Sequence, residues 1–83
     1  MDSTTQQAMA QAIRVQRIRA GFGSDADLAR AADYSPSGLS KRLTGEVHMD
    51  LEDVDRIAKA LGLHDGFDLM DVARAERTHL AAA

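Results

Sequence analysis

The sequence predicts an all-α domain of five helices, and three observations carry that prediction. Apolar residues recur at three- and four-residue steps in successive segments. The apolar set is 45% of the chain, dominated by Ala, Leu, Ile, Val and Met with few aromatics, a mix that favours helix packed on helix over a sheet. Glycines, capping residues and a lone proline fall between the periodic segments, where helices start and stop. At 83 residues there is room for one small, compact domain spanning 1–83, with no repeat or linker.

The first segment runs from about Thr5 to Ala20. Its expected buried face is Ala8, Ala12, Val15, Ile18 and Phe22, with Met9 and Ile13 beside it and Gly21 and Gly23 as the stop. Ser24 then caps a short second helix, Asp25 and Asp27 suit its positive end, and Leu28, Ala29 and Ala32 form its inner edge. Asp33 tolerates the left-handed conformation expected of the turn that follows. Ser35 and Pro36 open the third helix, because proline at the first position gives up an N–H that has no helical partner. Leu39 and Leu43 point inward, and Thr44-Gly45 ends it. A fourth helix starts at Asp50 with Asp53 three residues on, a variant of the capping box. Leu51, Val54, Ile57, Ala58 and Leu61 are its expected apolar face and Gly62 its stop. The fifth, about residues 66–80, places Phe67, Met70 and Ala73 on one stripe with Leu69, Val72 and Leu80 near it.

Several functions are excluded or disfavoured by composition. Cysteine is absent, so no disulfide staples the fold and no thiolate holds zinc. His48, His64 and His79 stand widely apart, and no metal site or cofactor is expected. Asp50 and Asp53 read as a cap rather than a catalytic pair, and no nucleophile site can be assembled, so no enzyme is expected. No apolar run approaches the roughly 20 residues that span a bilayer, and the polar stretch Met1–Gln7 is unlike a signal peptide. A soluble, cytoplasmic protein with no membrane partner and no small-molecule ligand is the expectation. The formal net charge is −3. Acids dominate from Glu46 onward, whereas Arg14, Arg17, Arg19, Arg30, Lys41 and Arg42 lie in the first half. Any surface facing a polyanion therefore lies in that half.

Two short helices joined by a tight turn, set among longer helices, form the helix-turn-helix plan, here about residues 24–45. Ala29 is small where the two helices cross, and Leu28 and Leu39 both reach the core between them. In the stretch Ser24–Leu63, Leu28-Ala29, Ser35, Leu39, Thr44-Gly45 and Ile57-Ala58 with Leu61-Gly62 resemble the phage repressor and Cro (Xre-type) family, and Arg19 falls where such proteins commonly carry arginine. The resemblance implies a lambda-repressor-like fold. Because the chain ends soon after the fifth helix, it is most similar to a short Cro or minimal immunity repressor. It departs from the family at Asp25, where glutamine is frequent, at Asp33, where the turn glycine is usual, at Pro36, where several members place a base-reading residue, and at Arg42, where an aliphatic residue is common.

The resemblance further implies that residues 36–43 enter the major groove. Ser37, Gly38, Ser40 and Lys41 are the expected base-reading positions, Lys41 first, since lysine donates to guanine O6 and N7. Phosphate contacts are expected from Ser24 and Asp25, from Arg30, Tyr34, Ser35, Arg42 and Thr44, with Arg14, Arg17 or Arg19 on a basic rim. Other roles compete for several of these: Lys41 as a solvated surface lysine, Arg42 as a partner of Glu46 or Asp53, Arg19 as a structural arginine, and Tyr34 as a residue packed on the turn. One such unit makes few contacts, so a homodimer on double-stranded operator DNA is expected, with Phe67, Leu69, Met70 and Leu80 as the possible interface. The expected function is a sequence-specific transcriptional regulator. The alternative is a protein-binding adaptor on the same fold, such as an antitoxin or a polymerase modulator, suggested by the acidic second half and Asp25.

Overall fold

In the computed structural model, residues 3–82 are described, and the surroundings of side chains for residues 5–78. The chain forms α1 (Ser3–Arg19), α2 (Asp25–Ala31), α3 (Pro36–Thr44), α4 (Leu51–Ala60) and α5 (Gly66–Ala82), with no strand among the described residues. None of these helices is long and apolar enough to cross a membrane. Each short helix starts on a side-chain cap. Ser24 Oγ accepts from the Asp27 N–H at 3.2 Å and Ser35 Oγ from the Gly38 N–H at 2.9 Å. At the start of α4 the capping box is complete: Asp50 accepts from the Asp53 N–H at 2.8 Å, and Asp53 accepts from the Asp50 N–H at 3.1 Å. Asp33 takes the left-handed conformation in the turn, with φ 63°.

Each helix contributes one large, fully buried side chain to a shared core: Ile13, Leu28, Leu39, Ile57 and Leu69. Burying side chains of this size stabilises by roughly 1.5–3 kcal/mol apiece. Alanines fill the spaces between: Ala12 on α1, Ala29 on α2 and Ala58 on α4 have no exposed surface and let the helices approach closely. The long α5 packs chiefly against α1 and α4, and α2 packs against α3. Gly66 is where α5 meets α4. A Cβ there would lie 3.1 Å from the Asp55 backbone nitrogen, so a larger residue would fit only if α4 and α5 parted by a few tenths of an ångström.

Three expected inward faces are corrected. Ile18 is 66% exposed, because it lies five residues past the buried Ile13, about 140° around the helix; Ala8, Ala10, Ala12 and Ile13 make the buried arc instead. Leu51 lies in the first turn of α4, one turn before the level at which Gly66 brings α5 across Val54 and Asp55, and it is 73% exposed. On α5 the buried stripe is Leu69 and Ala73, four residues apart. Leu69 is therefore a core residue and not an interface residue. Phe67, two residues before it, points to the opposite side and is 74% exposed.

These placements set a contrast in stability. Leu39→Ala removes a fully buried side chain and is expected to cost ~2–5 kcal/mol in urea unfolding. Leu51→Ala is expected to stay within ~0.5 kcal/mol of the parent; equal losses would contradict the described core.

Candidate nucleic-acid interface

The third helix is two-sided. Leu39 and Leu43 are buried, and one turn of helix separates them, so α3 lies on the core along a single edge. Its other side carries Ser37, Ser40 and Lys41, all exposed, with Gly38 half-buried near the start. Lys41 has no carboxylate partner among the described residues. A strand of DNA backbone and base edges meeting this side would find hydroxyls and one ammonium, the donors that a major groove accepts. Around it, the α2 start at Ser24 and Asp25, the exposed Ser35 and Thr44, and Arg30 lie on the same two-helix unit. Arg30 is paired with Asp27 on its own helix and remains exposed. Thr44 Oγ1 donates to the Lys41 carbonyl at 3.2 Å.

Two residues expected at phosphates are instead committed inside the protein. The Tyr34 hydroxyl donates to Asp53 Oδ1. Arg42 lies 3.3 Å from Asp53 Oδ2 through Nε, donates from Nη1 to the Gly38 carbonyl at 2.9 Å, and stacks 4.8 Å from the Tyr34 ring centroid. Arg56 of α4 takes up the same distance from that ring. A single carboxylate, buried at the start of α4, thus ties together the turn, α3 and α4. The guanidinium is ion-paired with Asp53 and stacked on the ring, and its hydrogen bond goes to the Gly38 carbonyl. Asp25 is likewise occupied, with its Oδ1 3.2 Å from Arg17 Nε, while Arg17 Nη1 donates to the Phe22 carbonyl at 3.1 Å. That pair fastens the end of α1 to the start of α2, so the basic rim keeps Arg14 and Arg19, both exposed, and loses Arg17.

The electrostatics follow from this geometry. Burial pushes the Tyr34 phenol up, the hydrogen bond to Asp53 and its charge push further, and the two arginines only partly offset them, so the phenol titrates at about 12 instead of 10.0. Burial alone would raise the Asp53 carboxyl. The hydrogen bonds from Tyr34 and the Asp50 backbone, with the Arg42 guanidinium, outweigh burial and hold it below the ordinary carboxylate value.

Some partners of these residues had no short-range signal. The capping spacing of Asp50 and Asp53 is readable, but that the second residue also receives Tyr34 and Arg42 is not. Gln6, in an α1 stretch otherwise read for its alanines, reaches the far end of α3, where its amide donates to the Arg42 and Leu43 carbonyls. Elsewhere, His64, Asp65 and Asp68 bring possible metal-ligating atoms within 4.8 Å of one another. Their bonds account for the cluster as the cap of α5: Asp65 accepts from the Asp68 N–H, and Asp68 accepts from the His64 N–H. On α5, Phe67 and the half-buried Met70 border a groove of about 330 Å³ with Leu51. The Leu80 side chain lies outside the described residues, as does that of His79.

A short capped helix, a left-handed turn and a second helix with a polar outer side define a helix-turn-helix DNA-binding domain, the kind found in regulators. The sequence matches the family model of a helix-turn-helix domain over residues 8–71, and the chain belongs to that family. No curated protein and no solved structure matches it.

The shared carboxylate generates a pH prediction. Because the folded Asp53 carboxyl is depressed, its stabilisation is present above the unfolded value of roughly 3.9 and is lost as pH falls through the folded value. Asp53→Asn is expected to flatten the acid limb of stability against pH and to bring the Tyr34 phenol back toward 10 in an ultraviolet titration. An unchanged phenol in that variant would contradict the contact.

Proposed function

We propose that the protein is a sequence-specific transcriptional regulator of the Cro or repressor type, binding double-stranded operator DNA as a homodimer with α3 in the major groove and performing no catalysis. The observation that carries this reading is the outer side of α3, where Ser37, Ser40 and Lys41 stand uncovered opposite the buried Leu39 and Leu43. Lys41 reads a guanine edge, the two serines accept or donate beside it, and Gly38 keeps the start of the helix slim. Backbone N–H groups at Ser24 and Asp25, the Ser35 hydroxyl and Arg30 meet phosphates, and Thr44 joins them by turning its hydroxyl away from the Lys41 carbonyl. Tyr34 and Arg42 act behind this surface by fixing α3 to α4. The protein needs no cofactor or small-molecule ligand for this, and it works in the cytoplasm, that of the bacterial host if the gene is a phage gene.

The dimer reading is supported at α5. Phe67, Met70 and Leu51 are an apolar strip, with Asp65 just before α5, Asp68 and Asp71 in its first half, and Arg74 and Arg77, flanking Glu76, in its second. Two copies related by a two-fold axis, with their α5 helices antiparallel, set the acidic half of each against the basic half of the other. The same uncovered Phe67 and Leu51 favour the second reading, an adaptor that docks on another protein.

Two measurements test this. In a gel-shift series on DNA flanking the gene, affinity is expected to fall steeply with salt, and Lys41→Ala to cost ~1–3 kcal/mol and relax base preference at one position. Salt-independent binding with no preference would reject the regulator. Sedimentation of Phe67→Glu is expected to give a monomer where the parent dimerises. A parent that stays monomeric alone and on DNA, yet captures a protein partner through Phe67, would favour the adaptor.

A further inference from the structure

We infer that Gln6 is a positioning residue for DNA reading: from α1 it caps the C-terminal end of α3 and so sets where Lys41 stands in the groove. The inference rests on the DNA-reading role of α3 proposed above. The last carbonyls of any α-helix lack helical partners. In α3 the Lys41 carbonyl is taken by the Val47 N–H at 3.0 Å and the Arg42 carbonyl by the Gly45 N–H at 3.3 Å. The Leu43 carbonyl receives the Gln6 side chain, Nε2 to O 2.8 Å, and the same amide nitrogen lies 3.1 Å from the Arg42 carbonyl. One donor from a different helix, far off in sequence, thus closes the end of the helix that carries Lys41.

The fit is close. Gly45 ends α3 with φ 82°, and a Cβ built there would come within 3.2 Å of Gln6 Cγ. Glycine at this position therefore serves the turn and also makes room for the glutamine stem. The groove over this contact is lined by Gln6, Gln7, Ala10, Gln11, Arg14, Leu43 and Thr44, with Arg14 its one titratable member. Leu39, Leu43 and the Arg42–Asp53 contact fix the inner edge of α3, but an edge leaves the helix free to slide along its own axis or tilt. Gln6 supplies the end stop. Lys41 is two residues from the carbonyl it holds, so a small shift at that end moves the ammonium against the bases, whereas phosphate contacts on the rim tolerate it.

The test separates donation from packing. For folded variants with parental helical circular dichroism, the ratio of affinity for the selected operator to that for mixed-sequence DNA is measured. Gln6→Met keeps the length and removes the donor, and is expected to lower the ratio about tenfold. Gln6→Lys restores a donor, with a cation at the negative end of the helix, and is expected to keep the ratio within about twofold of the parent. Gln6→Glu sets a carboxylate against two carbonyls; it is expected to lose the ratio at pH 7 and to regain it, relative to the parent at each pH, as the pH falls to 5 and the introduced carboxyl gains a proton to donate. The Met and Lys pair decides the matter if the Glu variant does not fold. Parental ratios in both would overturn the inference while leaving the DNA reading intact. Equal losses in both would overturn it in favour of packing. A parent with no base preference would reject the DNA reading and this inference with it.

Discussion

The constraint on which the rest of the structure depends is that α3 must bury one edge and leave the other bare. Leu39 and Leu43 belong to the one core to which the other four helices also contribute, and a nine-residue helix has too little surface to hold its place by that edge alone. The protein solves this with polar contacts at the flanks. Ser35 closes the start, Asp53 holds the side through Arg42, and Gln6 closes the end. Each is a hydrogen bond or ion pair made by a residue outside the bare side, so Ser37, Ser40 and Lys41 are left without structural duties.

Asp53 has the widest reach. Its two oxygens receive the Tyr34 hydroxyl, the Asp50 N–H and the Arg42 guanidinium, so the turn before α3, α3 itself and the start of α4 share one anion. A charge this buried is costly when alone and tolerable only when fully partnered. The consequence is coupling: the turn cannot move without disturbing α4. The second pair of this kind, Arg17 with Asp25, couples α1 to α2. The two pairs convert a bundle of five helices into a frame in which the first-half cations not required for that frame, Arg14, Arg19, Arg30 and Lys41, lie at the surface. Charge is thus divided by role: Asp25 and Asp27 of the first half are consumed in pairing, and of the second-half acids it is Asp53 that reaches α3, on its inner flank through Arg42.

The sequence made the helices and their caps legible because those signals are local. Ser24, Ser35, Asp50 and the left-handed Asp33 act within a few residues of themselves, and all four do what their chemistry implies. Which apolar residue faces inward is a weaker local signal wherever a neighbour ends. Leu51 satisfies the periodicity of α4, but α5 does not extend over it; Phe67 and Leu69 were read as alike, but α5 rotates one to water and the other to the core. The partners of side chains reached across the fold were not legible at all. Nothing near Tyr34 or Arg42 specifies Asp53 over a phosphate, and nothing near Gln6 points to a carbonyl nearly half the chain away. Such choices are made by the packing of α1 and α4 around α3, which no window of sequence contains.

The central claim is that the bare edge of α3 is the surface that touches DNA. Backbone amide shifts recorded by nuclear magnetic resonance during titration with a selected duplex test it most directly. The account predicts the largest changes from Ser35 to Thr44, with smaller ones at the start of α2, and little along α5 beyond those that dimer formation brings. Changes concentrated on Leu51, Phe67 and Met70 with an undisturbed Ser37–Lys41 segment would contradict it.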